Sequence, residues 1–224
     1  MVEITTIGVR KVENLMKTAT TDKHHLGSCG KSMTATLTAK LIEMGYFGWD
    51  SSLEDLLPYI QIHDELKKVT FDLLLAHRSS LQSDTENFEK GWLYTALESG
   101  IYSPTEARKL MTQKILSVPP KFKPREGFEY SNIGYMIAGY IMEYLTNTSW
   151  EVLMNEHIFT PLKMNSCDFG PVSVPGTLFS KQPWGHRYDI GVLQPIHEDN
   201  PPACGPAGTI HCTLNDWGIY LGVH

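Results

Sequence analysis

The sequence predicts a mixed fold of the α+β kind, and three observations predict it. Residues 3–11 (EITTIGVRK) are rich in β-branched side chains, the composition of a strand. From Lys31 to about Phe159, helix starts and stops follow one another. From about Gly170 to Gly208, proline and glycine recur, which leaves room for loops and short strands.

After the N-terminal strand, Gly27 and Ser28 interrupt the chain. Lys31 to Met44 (KSMTATLTAKLIEM) forms a helix, with Gly45 in the C-cap position. Leu37, Leu41 and Met44 share one face, but Ala35, Thr36 and Ala39 leave the other faces barely polar. Such a helix is central and covered on several sides. Ser52 caps a short helix in SLEDLLPYI, and Thr70 another in FDLLLAHRSS. Ser103-Pro104 followed by Glu106 combines an N-cap, a first-turn proline and a capping-box carboxylate. That helix runs through ARKLMTQKIL until Pro119-Pro120 stops it. Ser131 or Asn132 opens IGYMIAGYIMEYL, Trp150 to Phe159 forms a further helix, and Thr213 caps a last one, LNDWGIYLGVH. One strand cannot make a stable sheet. Partners are therefore expected from the Gly170–Thr209 region or from strands missing at the sequence ends.

Composition bounds the function. Hydrophobic residues make up 42% and charged residues 20% of the 224. That is apolar enough to exclude disorder as the main state. A chain of this length buries about 70% of its unfolded surface without a disulfide framework. The length allows one large domain or two small ones. The net charge of −6 excludes a basic footprint for nucleic acid or anionic lipid. The apolar run Ile133–Met142 is too short for a transmembrane segment. The N-terminal MVEITTIGVRK lacks the continuous apolar core of a signal peptide. Cys29, Cys167, Cys204 and Cys212 match no CxxC pattern, and their spacing leaves free and paired states open. The expectation taken is reduced, buried thiols. That leans towards a cytoplasmic protein; a periplasmic or secreted one would need an upstream signal.

Two patterns carry chemistry. Ser28-Cys29-Gly30-Lys31 is S-x-x-K with the serine at a helix start. Unpaired N–H groups there favour a developing anion. Lys31 lies one turn later on the same side, where an amine in a poorly solvated site can activate a serine. Tyr130-Ser131-Asn132 offers a phenol that a nearby cation makes easier to ionise, and an amide that can donate to a carbonyl. The plain alternatives are N-cap roles for Ser28, Ser131 and Asn132, with a solvated Lys31.

Together, and in this order, these patterns resemble the serine β-lactamase and penicillin-binding-protein superfamily. The Tyr-x-Asn form resembles its class C β-lactamase, DD-carboxypeptidase and esterase branch. HHLGSCGKSMTATLTAKLIEMG, TFDLLLAHRSSL, PREGFEYSNIGYMIAGYIME, FTPLKMNSCDFG and CGPAGTIHCTLNDW resemble successive family blocks. Ser80 and Glu126 depart from the usual residues.

The resemblance implies one partial domain over residues 1–224, with an antiparallel sheet flanked by helices. A mostly helical lobe would run from about Gly45 to Gly170, with the fold incomplete at both ends. It implies a serine hydrolase working through an acyl-enzyme on an ester, amide or β-lactam carbonyl. Ser28 would be the nucleophile, Lys31 and Tyr130 the acid/base pair, and Asn132 a substrate-binding residue. The Ser28 N–H would give half of an oxyanion hole. The family's third motif, Lys/His-x-Gly, is missing before His224; His211-Cys212-Thr213 lacks the glycine. The alternative is a non-catalytic remnant that binds in the same cleft. No metal or organic cofactor is implied. The partner would be a small-molecule or peptide acyl substrate, not nucleic acid, and the oligomeric state is left open.

Other candidates are weaker. His24 and His25, adjacent on a strand, point to opposite faces and suit no shared metal. His77 is expected to be a hydrogen-bonded structural histidine. His186 and Tyr188 are expected on a surface loop. Asn147-Thr148-Ser149 matches a glycosylation acceptor, meaningful only in a secreted chain. Cys29 is expected to be an inert, packed thiol.

Overall fold

The computed structural model describes residues 3–81, 101–173, 175 and 181–224. Part of the Pro/Gly-rich stretch therefore lies outside the described residues. The helix after Ser28 is α1, Gly30–Glu43. Met33, Leu37 and Leu41, spaced by four, are fully buried. Thr34 and Thr38 on the neighbouring face are buried too. Each hydroxyl donates, to Pro206 O at 2.8 Å and to Thr34 O at 2.9 Å, which makes their burial tolerable. Gly45 follows with φ 84°, the left-handed turn that ends the helix.

Short helices α2 (Leu53–Leu56) and α3 (Phe71–Leu75) start at Ser52 and Thr70 as expected. Their cap hydroxyls bond Asp55 and Asp72 side chains rather than backbone N–H groups. Helix α4 (Pro104–Leu116) carries the full capping box between Ser103 and Glu106. Helix α5 (Asn132–Thr146) is capped by Ser131, whose Oγ accepts from Gly134 N–H at 3.0 Å. Every residue from Ile133 to Glu143 is buried, so α5 forms the centre of the helical lobe. Asn147 ends it at φ 53°, so a helix cap explains this asparagine without any sugar. Helix α6 (Trp150–Met154) continues as a π turn over Asn155–Phe159.

A buried arginine ties the lobe together. Arg108, fully buried on α4, donates to Glu143 of α5 at 3.0 Å and to Glu151 of α6 at 3.1 Å. It also reaches the carbonyls of Pro202 and Ala203. Glu143 accepts further from Thr105 Oγ1 and Trp150 N–H. A charge without these partners would not tolerate such burial.

The strand β1 (Lys23–His25) pairs antiparallel with β5 (Ile210–Thr213), which also pairs with β2 (Asp168–Phe169). Between β2 and β5, β3 (Gly185–Asp189) and β4 (Val192–Ile196) form a separate hairpin. The four-residue α7 (Gly205–Gly208) leads into β5, and α8 (Leu214–Leu221), capped by Thr213, follows it. The expected mixed fold of small antiparallel sheets with helices is present.

Four local expectations are corrected. Residues 3–11 form no strand; Val9 makes one isolated bridge to Lys17, and Arg10 is held by Asp22 at 2.6 Å. β-Branched composition favours a strand only where a ladder partner exists. His186 and Tyr188 sit on β3 rather than on a loop. Cys167 and Cys212 are joined in a disulfide, not reduced. The β2–β5 register explains it: Asp168 faces His211, so the next residues out face each other, with Cα atoms 4.2 Å apart. Cys204 lies outside this disulfide, partly buried with its Sγ against Met136 Sδ at 3.7 Å, while Cys29 is exposed rather than packed.

Candidate active site

The β1–β5 pairing positions the nucleophile. Leu26 N–H donates to Ile210 O, so the antiparallel register continues past the strand end. Two residues further it brings Ser28 against Gly208. Gly208 has φ 152°, and a Cβ there would lie 2.9 Å from Gly27 C and O and 3.3 Å from Ser28 N. Only glycine lets the two backbones approach so closely. The turn before Ser28 is braced by His25, whose Nδ1 accepts Gly27 N–H at 3.0 Å. With Nδ1 accepting, Nε2 carries the proton and faces Asp199 Oδ1 at 2.7 Å. Ser28 itself is exposed, in the 3₁₀ turn Gly27–Cys29 that leads into α1.

Lys31 is 5% exposed and makes three hydrogen bonds. Its Nζ donates to Ser28 Oγ at 3.1 Å, Asn132 Oδ1 at 2.7 Å and Ala207 O at 2.6 Å. An ammonium has three donors, and three elements each supply an acceptor: the nucleophile turn, the start of α5, and α7. Of the four residues expected at the site, Ser28, Lys31 and Asn132 are thus in direct contact.

Tyr130 joins them through its ring, with Lys31 Nζ 5.0 Å from the ring centroid. A second phenol, Tyr135, lies almost as close at 5.5 Å. Their surroundings separate them. Tyr135 is buried, its hydroxyl donates to Leu75 O at 3.1 Å, and burial pushes its phenol up to about 12. Tyr130 is 47% exposed and opens to solvent.

His77 underlies this segment. Its ring lies against Tyr130, tilted by 32° with centroids 4.3 Å apart, and its Nδ1 accepts Ser131 N–H at 3.1 Å. Its structural reading agrees with these bonds. Sequence reasoning weighed His25 only as a metal ligand and did not single out Gly208 or Asp199. The register that assembles them is a tertiary fact; their contribution is backbone placement, which leaves no spacing signature.

A family model described as Beta-lactamase matches residues 2–223. The chain belongs to the Beta-lactamase family. At this level the family is one of serine hydrolases related to penicillin-binding proteins. The chain is 28% identical to "Penicillin-binding protein 4" of Amycolatopsis lactamdurans over 203 residues, covering 88% of this chain and 49% of that protein. It is 24% identical to "Protein flp" of Staphylococcus aureus, spanning 31% of it. The chain therefore spans half or less of these relatives. Among solved structures it is similar to a D-amino acid amidase from Ochrobactrum anthropi (TM-score 0.73, 23% identity, 96% of this chain and 58% of that one). It is also similar to FmtA from Staphylococcus aureus (TM-score 0.76, 19% identity, 96% and 56%). These two likenesses concern the fold. An octameric penicillin-binding-protein homologue from Pyrococcus abyssi aligns with TM-score 0.72 at 25% identity, covering 96% and 47%. Among the described residues no helix is long and apolar enough to cross a membrane.

Proposed function

We propose that this chain carries the nucleophilic half of a serine hydrolase acting on an ester, amide or β-lactam carbonyl. One observation carries the reading: a buried Lys31 amine lies 3.1 Å from the exposed Ser28 hydroxyl while Asn132 and Ala207 hold it in place. A solvated surface lysine would have no such cage.

Ser28 Oγ attacks the substrate carbonyl carbon as its proton passes to the phenolate form of Tyr130, which the triply hydrogen-bonded Lys31 ammonium beside it favours. The new C–O bond leaves a tetrahedral oxyanion, which the Ser28 N–H at the helix start helps to stabilise. Collapse breaks the bond to the leaving group, which takes the proton back, and leaves the acyl group on Ser28. Water, deprotonated by the same Tyr130–Lys31 pair, then adds to the acyl carbon; the Ser28 Oγ–acyl bond breaks, Oγ takes the proton back, and the acid leaves. Asn132 presents its Oδ1 to Lys31, and its Nδ2 is the group assigned to the substrate carbonyl. Tyr135, held by Leu75 O with a raised pKa, takes no part in proton transfer.

The test is intact mass after incubation with p-nitrophenyl acetate and, separately, with a penicillin. A single acyl adduct that Ser28→Ala abolishes supports the reading, and the reagent that labels narrows the substrate class. A folded chain that takes no adduct from either reagent refutes it and leaves the binding remnant.

A further inference from the structure

We infer that His77 is a positioning residue for the Tyr130–Asn132 segment, and that its neutral form is required for the site to keep its shape; this rests on the hydrolase reading. The geometry is that of a clamp. The His77 carbonyl accepts Glu129 N–H at 2.9 Å, and its ring Nδ1 accepts Ser131 N–H at 3.1 Å. The residues between and beyond those two anchors are Tyr130 and Asn132. The ring also lies against Tyr130 at 4.3 Å, Tyr135 at 5.4 Å and Phe128 at 5.7 Å. One residue, through its carbonyl and its ring, thus fixes both the backbone path and the plane of the phenol.

The backbone of His77 is itself unusual. Its φ is 58°, a left-handed conformation that few residues other than Gly, Asn, Asp and His adopt readily. The chain turns there so that carbonyl and ring face the same segment. Ser131, once held, caps α5 through Gly134 N–H, and so sets where Asn132 meets Lys31.

The clamp works in one protonation state. An Nδ1 that accepts a hydrogen bond carries no proton, so the ring is neutral with its hydrogen on Nε2. Adding a proton at Nδ1 would break the Ser131 bond. It would also place a second cation beside Lys31. The titratable groups facing the ring are Lys31 of α1, Tyr130 just before α5 and Tyr135 on α5. Burial first, and then the Lys31 charge, hold His77 below the usual histidine range. At neutral pH the clamp is therefore closed, and acid opens it.

The test uses two substitutions and one spectroscopic measurement. His77→Asn places an oxygen near the Nδ1 position, suits the left-handed backbone and cannot titrate. His77→Ala removes the acceptor. With p-nitrophenyl acetate at pH 7.5, His77→Asn is expected to acylate within about fivefold of wild type, and His77→Ala about 10- to 100-fold more slowly. The wild-type rate is expected to fall about tenfold per pH unit once the pH drops past the lowered His77 pKa, beneath the usual histidine range, and His77→Asn lacks that limb. An acid limb that persists in His77→Asn overturns the inference, as does an alanine variant as fast as wild type. Should His77→Ala fail to fold, the asparagine variant decides alone. In parallel, amide exchange at Ser131 in the wild type is followed by NMR as His77 titrates. Loss of protection in step with protonation is expected; protection that ignores it overturns the clamp. This arm needs no acylation, so it separates failure of the clamp from failure of the hydrolase reading.

Discussion

Replacing Gly208 with alanine is expected to damage the nucleophile without touching a catalytic side chain. The new Cβ would sit 2.9 Å from Gly27 C and O, about 0.5 Å inside ordinary contact at 3.4 Å. Both neighbours are backbone, so no flexible side chain can swing away. A non-glycine residue at φ 152° adds strain of about 1–3 kcal/mol, and forced overpacking adds a similar ~1–3 kcal/mol. The expected loss of stability is thus about 2–6 kcal/mol. The backbone that must yield carries the Ser28 N–H and the path into α1. Since a misplacement of ~1 Å can slow a reaction about 100-fold, half of that predicts acylation about 10-fold slower. The assay is the intact-mass acylation rate with p-nitrophenyl acetate, beside thermal unfolding. Gly218→Ala is the control: it lies on α8 with nothing within 4 Å of the added Cβ, and it should be neutral or slightly stabilising. A Gly208→Ala protein with wild-type melting and acylation within threefold would refute the close-approach argument.

Lys31→Met should abolish acylation by at least 1,000-fold and destabilise the fold, because Asn132 Oδ1 and Ala207 O lose their donor at about 1–3 kcal/mol each; single-turnover rates and chemical denaturation check both halves. Tyr130→Phe should slow acylation ~100-fold or more, whereas Tyr135→Phe should leave the rate within threefold and cost about 1 kcal/mol through the lost bond to Leu75 O. Equal effects from the two phenols would defeat the assignment. Reducing the Cys167–Cys212 disulfide, which closes a 45-residue separation, should lower stability by about 2–4 kcal/mol, read from denaturation with and without reductant.

Helix boundaries were the most legible part of this chain, because their signals are local. Ser103, Pro104 and Glu106 announce α4, and Ser131 and Thr213 announce α5 and α8, within one turn of sequence. Ser28, Lys31 and Asn132 were legible for a related reason: each pattern is short and sits at a helix start. What stayed hidden depends on pairing. The strand at residues 3–11 was expected from composition, yet the β1–β5–β2 sheet begins at Lys23. Gly208 and His25 matter through the β1–β5 register, and Cys167 meets Cys212 through the β2–β5 register. Registers are set by strands far apart in sequence, so no window reveals them. His77 lies between these extremes, since its residue type was legible but its two bonds to the Glu129–Ser131 backbone were not.

The caged Lys31 also says something about how this molecule comes together. Its bonds to Asn132 and Ala207 span 101 and 176 residues of chain. Closing loops of that length is slow, and its entropy must be met before the contacts reward it. The cage cannot exist in a chain with only its helical lobe formed, because Ala207 arrives with the last described strand. A covalent label on Ser28 would therefore count finished molecules, and leave collapsed or half-assembled ones unmarked.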